Sequence, residues 1–154
     1  MLVPAFLLLV AVGIPFGWIV AIENVPQLLT EVLTSASDNP LVILLLINLG
    51  LLVAGAVMET AAILLIAVPM LYPLIQTIGI DPIHFGIIVV LNLVIGVTTP
   101  PFGMVLFIMM DVANVRMGPL VRALLPLYVP LFAILVIVIL FPEFTLFLPR
   151  FFGP

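Results

Sequence analysis

Two hydroxyl side chains, Thr98 and Thr99, stand directly before Pro100 and a second proline, inside an apolar segment that runs from residue 85 to 110. Proline lacks an amide hydrogen and costs about 3 kcal/mol within a helix, so carbonyl groups of the preceding turn lose their partners. Free carbonyl and hydroxyl oxygens together form a neutral cage that suits a hard monovalent cation, and we expect sodium. Gly96 allows another backbone to approach this cage closely. The alternative is a proline kink whose carbonyls are satisfied by the threonines and by neighbouring helices.

Glu59 is a carboxylate flanked by two long apolar arms, Leu41–Val57 and Ala61–Ile78. If the arms form a re-entrant hairpin, Glu59 and Thr60 lie near the membrane midplane. An ionised carboxylate there costs about 2.5–3.5 kcal/mol and should face a cavity, a cation or a proton. If each arm is a full span, Glu59 lies in a loop in water. The residues alone leave both alternatives open.

Asn92 lies four residues before Gly96, on about the same face of a helix. It can hydrogen-bond across to the tip of the hairpin, and a structural clamp is the role that we favour. His84 is expected at the membrane interface rather than in a metal site, because the chain has no second histidine and no cysteine to complete a transition-metal site.

The composition is that of an integral membrane protein. Of the 154 residues, 66% are hydrophobic and only 6% are charged, too few to cover a soluble fold. The net charge of −4 and the absence of a basic patch give no indication of a nucleic-acid partner. One histidine, no cysteine and scattered carboxylates do not form a catalytic set, so we expect no enzyme and no organic cofactor.

The elements that position these residues are all helical. We expect a transmembrane helix over 1–22, an interfacial arm helix over 24–38, the hairpin over 41–79, a broken transmembrane helix over 83–111 and a final transmembrane helix over 123–141. Arg116 and Arg122 flank the connector before the last helix, which places that connector in the cytoplasm by the positive-inside rule. The arm helix, both ends of the hairpin and the C-terminus then lie outside.

Several motifs carry a resemblance to a known family. The stretch Gly79–Gly103, preceded by Met58–Pro69, closely resembles the second half of the large membrane subunit of tripartite ATP-independent periplasmic (TRAP) transporters, the DctM-like family. Smaller matches lie at Val25-Pro26-Gln27, Asp38-Asn39-Pro40, Phe141-Pro142-Glu143 and Leu148-Pro149.

The resemblance implies the second inverted repeat of an elevator-type ion transporter, with a re-entrant helical hairpin and a broken transmembrane helix. In such a fold the hairpin tip and the helix break meet near the midplane and bind sodium as the coupling ion. Carried over to this sequence, the cation-binding residues are Gly55, Glu59, Gly96, Thr98 and Thr99, and the substrate-facing residues are Thr60, Asn92 and Pro100.

The function implied is sodium-coupled import of a small organic anion, such as a C4-dicarboxylate or sialic acid, across the bacterial inner membrane. The expected partners are a periplasmic substrate-binding protein, the small membrane subunit, the N-terminal repeat of the large subunit and the lipid bilayer. The alternative function is a non-transporting membrane scaffold or assembly subunit in which the proline break is a packing kink.

Overall fold

A computed structural model of the chain describes residues 22–100 and 103–152, together with five positions of the first segment: Leu7, Ala11, Pro15, Trp18 and Ile19. The transmembrane helix predicted over 1–22 therefore lies outside the described residues apart from single positions.

All regular structure in the described part of the chain is helical, as the composition and apolar segments predicted. The helices in chain order are α1 (Val25–Ala36), α2 (Pro40–Val57), α3 (Thr60–Thr77), α4 (Pro82–Val97), α5 (Met104–Ala113), α6 (Met117–Leu140) and α7 (Pro142–Phe152). Among the described helices, α2, α3 and α6 are long and apolar enough to cross a membrane. Helix α6 begins six residues before position 123, where the sequence placed the start of the last span.

Side-chain caps followed by proline begin two of the helices. Asn39 Oδ1 accepts a hydrogen bond from the amide of Leu41 at 2.9 Å, and Asp81 Oδ1 accepts one from the amide of Ile83 at 2.8 Å. In both cases a proline follows the cap directly, where its missing amide hydrogen costs nothing and its fixed φ suits a helix. These caps set where α2 and α4 begin.

The core is formed mainly where α2 packs along α4. The two helices run in the same general direction, because Asn48 lies beside Asn92 and, further along both helices, Gly55 lies beside Gly96. Helix α3 connects the end of α2 to the start of α4. The end of α2, the start of α3 and the end of α4 therefore meet at one end of this group, and that end holds the predicted site.

The remaining helices surround this group. Helix α1 lies against α3, α6 packs against α4 and α5, and α7 packs against α4 and α6. His84 is buried beneath α7, and its Nδ1 lies 2.7 Å from the hydroxyl of Thr145. The placement of His84 at the membrane interface rather than in a metal site stays a prediction, and the structure adds a contact between His84 and the last helix.

Candidate functional site

The break between α4 and α5 begins with two threonines that bond back to their own helix. The hydroxyls of Thr98 and Thr99 both donate to the carbonyl of Ile95, at 2.8 and 2.7 Å. A hydroxyl has one proton and two lone pairs, so an oxygen that donates to the backbone keeps its lone pairs for another partner. Both threonines are only half-buried. The end of α4 thus offers two hydroxyl oxygens whose lone pairs can coordinate a cation.

The last turn of α2, at the tip of the predicted hairpin, contacts α4 through the backbone of two glycines. A Cβ atom added to Gly96 would lie 3.0 Å from both Cα and the carbonyl carbon of Gly55. One added to Gly55 would lie 3.3 Å from Cα of Gly96. Contacts of 3.0–3.4 Å are tighter than nine in ten real Cβ contacts, and here the neighbour is the backbone of the other helix. Glycine at both positions is therefore what lets α2 and α4 meet at this point.

A backbone hydrogen bond joins the tip to the far side of the break. The amide of Gly103 donates to the carbonyl of Ala56 at 3.2 Å. Gly103 has a φ of 24°, and a Cβ there would lie 2.9 Å from the carbonyl oxygen of Thr99. The start of α5 is thus fixed to the end of α2. The group that these contacts bring together, which we name the tip–break site, consists of Gly55, Ala56, Gly96, Thr98, Thr99 and Gly103.

A cavity of about 200 Å³ opens beside the tip–break site. Its lining comes from the last turn of α2 and the first turns of α5: Gly55, Ala56, Val57, Met58, Met104 and Phe107. The side chains here are apolar, so polar contacts within the cavity must come from helix-end backbone groups, which lack partners of their own helix. The cavity is therefore suited to a ligand that is bound by backbone groups.

Glu59 and Thr60 occupy the turn between α2 and α3. The carboxylate of Glu59 is exposed, and its Oε2 accepts a hydrogen bond from the amide of Ala62 at 2.9 Å. This is the geometry of an N-cap on α3. Thr60 is the first residue of α3 and is half-buried. The structure thus gives Glu59 a capping role, while its part in holding a cation and the contact of Thr60 with substrate stay predictions.

Asn92 lies away from the tip, completely buried between α2 and α4. Its Nδ2 donates to the backbone carbonyl of Asn48 at 2.9 Å and to Asn48 Oδ1 at 2.7 Å. The sequence predicted a bond from Asn92 to the hairpin tip, whereas the partner lies seven residues before Gly55. Asn92 faces α2, as Gly96 does, but it lies one helical turn before Gly96 and therefore meets an earlier turn of α2. Asn92 is shielded in this structure, and a substrate-facing role stays a prediction.

Pro100, the third residue predicted to face substrate, is half-buried in the break itself. Two residues that the sequence interpretation passed over also matter here. Asn48 is the partner of Asn92, and Tyr128 of α6 donates its hydroxyl to the backbone carbonyl of Thr98. Asn48 and Tyr128 are both polar residues within an apolar helix, and this is the feature of the sequence that could have identified them.

Side chains of the metal-binding type are not grouped here. In residues 22–100 and 103–152, no set of three or more histidine, cysteine, aspartate or glutamate residues is placed to hold a metal ion. The donors that the tip–break site offers are carbonyl and hydroxyl oxygens. Such neutral, hard oxygens suit an alkali cation, and the donor set fits sodium.

Comparison with known proteins identifies the family to which the chain belongs. The family model "Tripartite ATP-independent periplasmic transporter, DctM component" matches residues 2–144. The sialic acid TRAP transporter large permease protein SiaM of Vibrio cholerae is 52% identical over 137 residues, which are 89% of this chain and 32% of that protein. YgiK of Salmonella typhimurium, an uncharacterized protein, is 42% identical over 96% of this chain and 34% of its own length.

A third relative is the C4-dicarboxylate TRAP transporter large permease protein DctM of Pseudomonas aeruginosa. It is 39% identical over 145 residues, which are 94% of this chain and 34% of that protein. The chain thus spans about a third of the length of each of these relatives.

Proposed function

Because the chain belongs to the DctM family of tripartite ATP-independent periplasmic transporters, we propose that its tip–break site binds the sodium ion that drives import of a small organic anion. Large permeases of this family are membrane transporter subunits and not enzymes. Ion coupling and the substrate class are our proposals for this chain.

The observation that carries the sodium proposal is the meeting of two helix ends at one point. Helices α2 and α4 both end at the tip–break site, where Gly55 contacts Gly96. A helix C-terminus carries about half a negative charge, from carbonyl groups without intrahelical partners. Two such ends, with the oxygens of Thr98 and Thr99 beside them, favour a cation. Discontinuous helices in other secondary transporters hold their coupling ions with the same groups.

Two further helix ends beside the tip–break site have groups that favour an anion. Helices α3 and α5 begin at Thr60 and Met104, on the other side of the tip and of the break. The first amides of a helix point outward and attract carboxylates. The N-terminus of α3 is already capped by the carboxylate of Glu59. We therefore propose that the carboxylate of the substrate approaches the N-terminus of α5, from the cavity that Met104 and Phe107 line. Cation and anion would then lie close together and stabilise each other.

We propose the re-entrant hairpin rather than two full spans, although α2 and α3 are each long enough to span; the support comes from the helix break that the hairpin tip contacts. At 1.5 Å per residue, the 16 residues of α4 extend about 24 Å and the 10 of α5 about 15 Å. The two helices with their break are therefore long enough to cross a hydrocarbon core of about 30 Å together. The hairpin tip contacts the break between them. If α4 and α5 together form one crossing, as we propose, the tip that contacts the break lies inside the membrane.

The substrate class follows from the relatives. The names of SiaM and DctM specify sialic acid and C4-dicarboxylates, which are organic anions. Large permeases of the TRAP system work with a small permease and a periplasmic binding protein. We propose that this chain does the same, in a bacterial inner membrane. The described helices place no basic side chain at the tip–break site, so a positively charged partner for the substrate would come from the N-terminal part of a large permease.

Replacing Thr99 tests the sodium proposal. The host is a chimera in which this chain replaces the matching segment of V. cholerae SiaM, together with the small permease and binding protein of that system. Thr99→Val keeps the shape and removes the hydroxyl oxygen. We expect the sodium concentration for half-maximal uptake to rise about tenfold, which corresponds to about 1.4 kcal/mol for one lost ligand.

Thr77→Val is the matched control. Thr77 also donates to the carbonyl four residues earlier in its helix, that of Pro73 at 3.0 Å, but it is exposed at the far end of α3. Its replacement should leave the sodium curve unchanged. Equal sodium curves for Thr99→Val and the parent chimera would refute the assignment of Thr99 to the ion.

One observation favours the scaffold alternative. The hydroxyls of Thr98 and Thr99 satisfy the carbonyl of Ile95, as a simple packing kink requires. That function predicts that apolar residues are tolerated at Thr98, Thr99 and Glu59 with uptake unaffected. The uptake measurement on Thr99→Val therefore discriminates between the two functions.

A further inference from the structure

Tyr128 connects the last long helix to the break. Its side chain is half-buried on α6, and its hydroxyl donates a hydrogen bond to the backbone carbonyl of Thr98. Pro126 and Pro130 flank it within α6. Each proline removes a backbone hydrogen bond and allows the helix to bend, so the ladder of α6 is weakened on both sides of Tyr128. The tyrosine thus lies in the most deformable stretch of α6.

The peptide group that Tyr128 contacts is the one between Thr98 and Thr99. The other end of the same peptide, the amide of Thr99, donates to the carbonyl of Gly96 at 2.9 Å. A peptide is planar, so a bond at its carbonyl and a bond at its amide fix its orientation together. Helix α4 supplies one of these bonds and α6 supplies the other. Loss of the tyrosine hydroxyl leaves the peptide held from one side.

We propose that Tyr128 is a positioning residue that sets the orientation of the Thr98–Thr99 peptide and thereby the sodium affinity of the tip–break site. The inference rests on the proposed sodium function. A carbonyl oxygen has two lone pairs, so the carbonyl of Thr98 can accept from Tyr128 and still face an ion. The hydroxyl of Thr99 follows the peptide plane. Displacement of α6 relative to α4 would release the peptide and lower the affinity for the ion.

The test is Tyr128→Phe in the SiaM chimera with its partner subunits. The substitution removes one oxygen and keeps the ring. We expect the half-maximal sodium concentration to rise about two- to tenfold, the effect of losing one net hydrogen bond. The KM for sialic acid at saturating sodium should stay unchanged. A purely structural role would not separate these two quantities.

Two control variants isolate the hydroxyl. Tyr72→Phe makes the same change at the other tyrosine of the chain, which is exposed on α3, and should leave the sodium curve unchanged. Phe132→Leu removes the ring that lies 6.5 Å from that of Tyr128, measured between centroids, and keeps the tyrosine hydroxyl. It should also leave the sodium curve unchanged. A shift with Phe132→Leu as large as that with Tyr128→Phe would assign the effect to packing and overturn the proposal.

The remaining outcomes are equally decisive. If uptake by the parent chimera depends on sodium and Tyr128→Phe has the same sodium curve, the positioning role is overturned and the sodium function stands. If parent uptake does not depend on sodium, the proposed function itself fails. A Tyr128→Phe protein that does not assemble, or that melts well below the parent, would assign the hydroxyl to folding and overturn the positioning role.

Discussion

Helices α2 and α4 pack against each other in two different ways along their length. In the first part, long side chains interlock: Ile43, Leu44 and Ile47 of α2 and Phe85, Ile88 and Val89 of α4 are at most 5% exposed. At the end, Gly55 and Gly96 bring bare backbone into contact, and the neighbouring threonines are half-buried. The first part is a buried core. The second leaves backbone and hydroxyl oxygens where side chains would otherwise fill the space.

This difference shows how one pair of helices can provide both stability and a site. Side-chain packing excludes other ligands, because it leaves few gaps larger than a water molecule. Backbone packing between glycines removes side chains from the contact while holding the two helices together. Changes at the two ends should therefore have separable effects, on stability in the first part and on ion dependence at the tip–break site.

The largest effect is expected at the glycine contact. Gly96→Ala places a methyl group 3.0 Å from the backbone of Gly55. Because these atoms are backbone, the contact can be relieved only if the two helices move apart. We expect a loss of about 1–3 kcal/mol from overpacking, with sodium-driven uptake nearly abolished. The melting temperature of the assembled SiaM chimera and its sodium-dependent uptake measure the two effects.

Gly86→Ala is the control for this substitution, on the same helix. A Cβ at Gly86 meets no heavy atom within 4 Å, and alanine favours a helix over glycine by about 1 kcal/mol. The melting temperature should rise or stay the same, with uptake retained. A Gly96→Ala chimera that behaves like Gly86→Ala would show that the backbone contact is not needed.

The next effect is expected in the first part of the helix pair, at the buried amides. Asn92→Leu leaves Asn48 Oδ1 without its donor and should cost about 1–2 kcal/mol. The double variant Asn48→Leu, Asn92→Leu removes both amides, so its loss should be smaller than the sum of the two single losses. Thermal melting of the four proteins gives the coupling directly.

The comparison between the two parts adds a second readout to this cycle. Since the amide pair lies outside the tip–break site, the sodium concentration for half-maximal uptake should not change in any of these variants. Strictly additive losses would show that the Asn48–Asn92 bond contributes nothing. A raised sodium requirement would show that the two parts of the helix pair do not act separately.

The sequence predicted the position of the break better than its surroundings. Two prolines after Thr98 and Thr99 are a local signal, and α4 ends at Val97 with α5 beginning at Met104. The partner of Asn92 depended on how α2 and α4 align along their length, at a contact between residues 44 apart in sequence. The periodicity of one helix indicates which residues share a face, but it does not determine which turn of a second helix they meet.

Tyr128 was missed for a related reason. A tyrosine in an apolar span is also common at a membrane surface, so its residue type alone does not show whether the hydroxyl faces protein or lipid. The close contact of Gly55 with Gly96 was expected only from the resemblance to the DctM family. No local pattern specifies which of the glycines of α2 and α4 meet, since Gly50 and Gly86 lie on the same two helices with open space around them.

The smallest effect is expected at Glu59, and it decides whether this residue belongs to the site. Glu59→Gln keeps an oxygen that can accept from the amide of Ala62 but removes the charge. Glu59→Ala removes the cap as well, at a cost of about 0.5–2 kcal/mol. If Glu59 only caps α3, the glutamine variant should match the parent in melting temperature and sodium dependence, and only the alanine variant should lose stability. If the carboxylate helps to hold sodium, both variants should require more sodium for half-maximal uptake. Because the carboxylate of Glu59 is exposed and accepts a hydrogen bond from the amide of Ala62, we expect the first result.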